Sequence, residues 1–165
     1  MGDDAYSKQF GGTRIIHQDI LHVNNENDRA TLVGDISNSE VLPRETFDCM
    51  IVTQTLQLIY DLKQAVHNMH RALKLNGVLL LTVPGITQIE RGEWGKNWYW
   101  SLTKMSASRL FGEIFGLERV TLETHGNVFA ATALLQGVAL EEVDQRDLEV
   151  LDEYYPVIIS VRAKK

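Results

Sequence analysis

Residues 47–85 read FDCMIVTQTLQLIYDLKQAVHNMHRALKLNGVLLLTVPG, and the period of their apolar side chains changes twice. Met50, Ile51 and Val52 form a short continuous apolar run, the pattern of a strand buried on both faces. Thr53, Gln54 and Thr55 end that run with polar groups. Leu62, Ala65, Val66, Met69 and Leu73 then recur at helical spacing, with Lys63, Gln64, His67, Asn68 and His70 on the expected wet side. Asn76-Gly77 supplies the left-handed positions expected to stop the helix, and Val78 to Val83 forms a second apolar strand closed by Pro84-Gly85. Two strands joined by an amphipathic helix predict a right-handed βαβ unit, and so an α/β fold with a parallel sheet.

Outward from that unit the punctuation continues. Asp4 to Phe10 can form a helix ended by Gly11-Gly12, and Arg14 to Val23 contains a strand, at Ile15-Ile16 or within Asp19 to Val23. Thr31 to Val33 is a short strand ending at Gly34-Asp35. After Gly85 an aromatic-rich loop, RGEWGKNWYWSLT, holds all three tryptophans of the chain. Ser106 to Phe115 has helical spacing with Ser106 as the expected N-cap. Val120 to Glu123 reads as a strand, Val128 to Val138 as an apolar helix, and Glu141 to Asp152 as an acidic loop or helix. Pro156 to Arg162 alternates like an antiparallel strand at or next to the sheet edge.

At 165 residues the chain is expected to be one domain spanning 1–165, long enough for a three-layer α/β core. No apolar stretch reaches membrane-spanning length, and the first residues are acidic and polar rather than a signal peptide, so a cytoplasmic location is expected. The single cysteine, Cys49, falls in a predicted strand and reads as a small core residue. A formal net charge of -6 argues against a broad surface for nucleic acid. The basic end, Arg162 to Lys165, reads as a solvated tail.

The run from Phe47 to Gly85 resembles the class I S-adenosylmethionine-dependent methyltransferases, in their type 11-like group. FDCMIVTQTLQLIYD is similar to the family's fourth strand and active-site loop, and RALKLNGVLLLTVPG to the following helix, turn and fifth strand. Leu75-Asn76 stands where the family's turn has Pro-Gly, and Asn also accepts positive φ. Val33-Gly34-Asp35-Ile36 and Leu42-Pro43 precede it at the family's spacing. The resemblance implies a three-layer Rossmann-like sheet, mostly parallel with an antiparallel C-terminal strand, and S-adenosylmethionine as cofactor. It also implies that the first strand is lacking. Gly2-Asp3 resembles a remnant of the cofactor-binding turn, in the Gly-Asp form of a subgroup found beside sugar-transferring enzymes of surface-polysaccharide synthesis. The vacant middle position of the sheet is then to be filled by closing of its neighbours, by a homodimer partner, or by a longer chain of which this is a truncated part.

The candidate cofactor contacts that the resemblance implies are Gly2, Asp3, Asp35, Ile36, Thr53, Gln54 and Leu56. Asp35 would accept from the adenine amino group; its other reading is a turn or N-cap aspartate. Thr53 to Thr55 would meet the cofactor at the strand's carboxyl end, or cap the helix beyond. At the second strand's end, where the family has an acidic ribose partner, this chain offers His22 and Asn24, with Asp19 upstream. Trp94, Trp98 and Tyr99 are the substrate-side candidates, since indole faces stack on sugar rings and their N–H groups hold a hydroxyl; the other reading is an apolar plug. His125 is a weak candidate base and the catalytic residue is not identified. No metal site is expected, because His67 and His70 have no carboxylate or cysteine partner on their helix face.

Two functions remain open at this point. One is methyl transfer from S-adenosylmethionine to oxygen or nitrogen of a small-molecule or saccharide acceptor. The other is a catalytically inactive domain of the same fold that serves as a binding or regulatory partner. A nicotinamide dehydrogenase is excluded because no G-x-G-x-x-G turn follows a strand.

Overall fold

The computed structural model describes Gly11 and residues 14–165. The expected Asp4–Phe10 helix, and the candidate contacts Gly2 and Asp3, lie outside the described residues. The described residues hold six strands and four α-helices: β1 (Leu21–His22), β2 (Leu32–Val33), β3 (Phe47–Thr53), α1 (Leu62–Ala72), β4 (Leu73–Pro84), α2 (Lys104–Phe115), β5 (Val120–His125), α3 (Val128–Gln136), α4 (Gln145–Glu149) and β6 (Ile158–Lys164).

The four longer strands form one sheet in the order β3-β4-β6-β5. β3 and β4 run parallel, and β6 runs antiparallel between β4 and β5. β1 and β2 form a separate parallel pair. The α/β fold with a mainly parallel sheet and an antiparallel C-terminal strand is therefore present. Among the described residues no strand pairs with the edge of β3 opposite β4.

One face of the larger sheet makes the core. Leu79, Leu81 and Val83 of β4 stand directly opposite Ala163, Val161 and Ile159 of β6, and all six are buried. Helices α1 and α2 cover them with Val66, Met69 and Phe111. Residues of opposite parity on β6, Arg162 and Lys164, point to the wet face and are exposed. Burial at about 25 cal/mol per Å² of apolar surface favours this one-sided packing.

Five local expectations are corrected. Helix α1 stops at Ala72, with Leu73 already extended and in β4, so Asn76-Gly77 lies inside that strand and does not end the helix. Cys49 is exposed rather than buried, because β3 ends the sheet and nothing described covers that flank. Asn68, assigned to the wet side of α1, is fully buried and donates to the carbonyls of Ile36 and Ser37, each at 2.9 Å. The first turn of α2 begins earlier than expected. Thr103 is its N-cap, and Ser106 sits three residues in, closing a reciprocal capping box at 3.1 and 2.9 Å. The basic C-terminus is no loose tail, since Arg162 and Lys164 lie in β6 and the Lys165 ammonium donates to the Leu73 carbonyl at 2.8 Å. That places a cation at the C-terminal end of α1, where helix carbonyls lack partners.

Candidate functional site

Parallel strands direct their carboxyl ends to one side, where connecting loops build the cleft. Here the ends of β1, β2 and β3 bring His22, Asp35 and Gln54 together around a cleft of about 550 Å³. That volume lies within the roughly 300–1,000 Å³ of ordinary small-molecule sites. The strand-to-loop turn at Gln54 is made by a left-handed backbone, φ 48°, which is uncommon for a residue with a Cβ. The Gln54 N–H donates to the Thr82 carbonyl at 3.0 Å, holding the turn against β4. Gly34, φ 143°, makes the corresponding turn after β2, where a Cβ would stand 2.6 Å from a Val41 methyl.

The aromatic loop forms the opposite wall. A 3-10 turn over Trp94–Asn97 leads into Trp98, Tyr99 and Trp100. Gly95 is required there, because a Cβ would meet the Glu90 carbonyl at 2.0 Å. The Glu90 carboxylate accepts from the Gly92 and Gly95 N–H groups and so folds the loop. Three donors then fasten it over the β3 loop: Tyr99 N to the Gln57 carbonyl at 2.8 Å, Trp100 N to the same oxygen at 3.3 Å, and Trp100 Nε1 to the Ile59 carbonyl at 3.0 Å. Tyr60 meets Tyr99 edge-on at 5.3 Å, and His22 meets Trp94 edge-on at 6.3 Å. The loop thus spans the cleft from the end of β1 to the loop after β3.

Two polar atoms in this cleft region are out of balance. Gln57 is 4% exposed; its amide nitrogen donates to the Gln54 carbonyl at 2.8 Å, yet its Oε1 has no partner. The buried Trp98 Nε1 also has none. An acceptor and a donor left unmade beside Leu58 and Ile59 cost about 1–3 kcal/mol each. A ligand hydroxyl or amine that reaches both would relieve them, since it donates and accepts at once.

The structure sorts the expected site residues. Asp35, Gln54, Trp94, Trp98 and Tyr99 line the cleft. Asp35 also fulfils its turn reading, because its Oδ1 accepts from both the N–H and the hydroxyl of Ser37 at 2.8 Å. Ile36 and Leu56 are buried in the core, so they reach a ligand only through their backbones. Thr53 is half-buried in β3 opposite Thr82, and Thr55 lines the cleft with its hydroxyl on the Thr53 carbonyl at 3.0 Å. Of the ribose candidates only His22 reaches the cleft; Asp19 accepts from the Thr31 hydroxyl at 2.8 Å instead. His125 lies on β5, bonded to Ser160 Oγ at 2.9 Å, with β6 and β4 between it and β3. Gln57, Glu90 and Asn97 line the cleft without having been singled out; the signal for Gln57 was an amide between Leu56 and Leu58 in an apolar run. No cluster of three or more His, Cys, Asp or Glu suited to a metal ion occurs among the described residues, nor any helix long and apolar enough to cross a membrane.

Residues 6–81 match a family model described as a methyltransferase domain. No curated protein matches the chain. Its fold is similar to a SAM-dependent methyltransferase from Archaeoglobus fulgidus, at TM-score 0.57 and 11% identity, over 88% of this chain and 74% of that one. It is similar to a chain of the complex between the Haloferax volcanii Trm112 methyltransferase activator and a methyltransferase, at TM-score 0.59 and 12% identity, over 96% and 76% of the two chains. Phosphoethanolamine N-methyltransferase 2 of Haemonchus contortus, solved with phosphomonomethylethanolamine and S-adenosylhomocysteine, matches at TM-score 0.54 and 16% identity over 86% of this chain. This chain spans 38% of the Haemonchus protein's length.

Proposed function

We propose that this chain is a class I S-adenosylmethionine-dependent methyltransferase, a reading supported by the match over residues 6–81 and by the similarity of fold, and that it transfers a methyl group to oxygen or nitrogen of a small polar acceptor, with saccharides the favoured class. The observation that carries this reading is the pair of unmade hydrogen bonds at Gln57 Oε1 and Trp98 Nε1, in the region where the aromatic loop meets the β3 loop. A hydroxyl-bearing ring carries both a donor and an acceptor of the kinds these atoms lack, and its faces suit the indoles and Tyr99.

The residues present fit the cofactor. Asp35 keeps Oδ2 clear of its Ser37 bonds for an adenine amino group, and the backbone at Ile36 lies beside it. Gln54 and Thr55, with the strand end at Thr53, form the floor at the carboxyl end of β3. Gly2 and Asp3 would serve the methionine end. When bound, S-adenosylmethionine supplies an electrophilic methyl on sulfur, so the protein's task is alignment and exclusion of water rather than bond activation. Trp94, Trp98 and Tyr99 exclude water from the cleft mouth, while Gln57 orients the acceptor. A base is needed only where the acceptor atom must lose a proton, and no lining residue is assigned that role.

A second reading is favoured by one feature beside β1: Asp19, two residues before it, is spent on Thr31 rather than offered to a ribose. In that reading the domain keeps the fold and acts as a binding or regulatory partner. Incubation with methyl-labelled S-adenosylmethionine and a panel of methyl glycosides, amines and polyols tests the choice. Label on a glycoside hydroxyl supports the first reading. Cofactor binding without transfer to any acceptor class supports the second.

A further inference from the structure

Helix α3 is apolar on every side and yet lies mostly in solvent. Its sequence, VFAATALLQ, offers only one polar side chain before Gln136, and that residue, Thr132, turns its hydroxyl back onto the Val128 carbonyl at 2.8 Å. Of the nine residues only Ala131 is buried, while Val128 and Leu135 are each 52% exposed. Val128, Phe129 and Leu135 recur at i, i+1 and i+7 with the Thr132 methyl between them, so they form a stripe on one side, while Leu134, 40% exposed, lies on another. A helix of this composition is ordinarily covered.

The helix is held firmly in place. Asn127, 5% exposed, caps it through Oδ1 to the Ala130 N–H at 2.8 Å and donates to the Asp147 and Val150 carbonyls, both at 2.7 Å. The Asp152 N–H closes the excursion on the Gly126 carbonyl at 2.9 Å. α3 therefore leaves the end of β5 as a braced projection, with α4 packed beside it.

Charge identifies what covers the stripe. Residues 141–153, EEVDQRDLEVLDE, carry seven carboxylates and one arginine. Arg146 pairs with Asp144 and Lys104 with Glu153. Among the described residues Glu141, Glu142, Asp147, Glu149 and Asp152 have no cation within pairing distance. A second copy of the chain would set like patch against like patch about a two-fold, carboxylates facing carboxylates. An anionic membrane surface meets the same repulsion.

We propose that α3 is a docking surface for an amphipathic helix of a partner protein, whose apolar stripe lies along Val128, Phe129 and Leu135 and whose Lys/Arg flank meets the segment 141–153. This surface is separate from the cleft and its test does not depend on cofactor binding. The probe is an 18-residue helical peptide of leucine and lysine in heptad order, titrated calorimetrically into the whole chain at low and moderate salt, beside a glutamate-for-lysine peptide of the same apolar pattern. The expected result is saturable one-to-one binding of the lysine peptide, at least tenfold tighter than the glutamate peptide. Phe129→Ser with Leu135→Ser, both on the solvent side and so compatible with folding, should weaken it at least tenfold with unchanged circular dichroism. Equal binding by that double variant would reduce the effect to unspecific charge attraction and overturn the proposal. So would no binding, a dimer of the free chain abolished by Leu135→Ser, or capture of the chain by phosphatidylglycerol vesicles.

Discussion

The buried amide of Asn68 on α1 donates to the Ile36 carbonyl at 2.9 Å and, through the same nitrogen, to Ser37 at 2.9 Å. Its own oxygen accepts from Gln64 Nε2 at 2.9 Å, so every bond of the group is made inside the protein. Helix α1 thereby fixes the turn that presents Asp35 to the cleft. Asn68→Leu leaves two carbonyls and one amide unpaired and is expected to cost about 1–3 kcal/mol of stability. Denaturant unfolding measures this; a loss near zero would mean that water replaces the amide without cost.

Asp35 has both a turn role and a proposed ligand role, and the two are separable. Asp35→Ala should weaken S-adenosylmethionine binding by about 1–3 kcal/mol through loss of a charged acceptor for the adenine amino group. Ser37→Ala removes only the hydroxyl bond to Asp35 and should leave affinity nearly unchanged. Equal losses in the two variants would assign Asp35 to the turn alone.

Trp98→Phe deletes a buried N–H that has no partner. Removing an unmade donor should leave stability unchanged or raise it by up to about 1 kcal/mol, while the acceptor KM rises. Thermal unfolding and steady-state kinetics read the two effects separately. A fall in stability with unchanged KM would make the loop a plug rather than a binding wall.

Cys49 is exposed on β3, and partial burial pushes its thiol pKa up. In the folded protein it should react fully with a disulfide reagent, at a rate that climbs with pH past the ordinary thiol range because the thiolate is the nucleophile. Titration with such a reagent without denaturant checks this. Protection until unfolding would place another segment over that flank.

The βαβ unit was legible because Leu79, Leu81 and Val83 answer to the core; Asn76 is left-handed, φ 66°, as its residue type allows, but it bends β4 rather than stopping α1, which already ends at Ala72. The cleft's aromatic wall was legible for a similar reason, three tryptophans grouped after a strand end. What sequence could not supply was the environment beyond each element. Asn68 sits at a polar position on a helical wheel, yet the face it occupies meets a loop with carbonyls to satisfy. Cys49 follows an apolar pattern, but burial depends on what lies across the sheet edge. Gln57 was hidden because a lone amide in an apolar run has no period, and its role depends on Tyr99 folding back from 42 residues later to bond its carbonyl.

The central claim is that the ends of β2 and β3, under the aromatic loop, bind the cofactor. Calorimetric titration of the whole chain with S-adenosylmethionine and S-adenosylhomocysteine tests it most directly. The account predicts saturable one-to-one binding in the micromolar range, weakened by Asp35→Ala. A well-folded chain that gives no binding signal with either ligand, by heat or by shift in unfolding temperature, would contradict it.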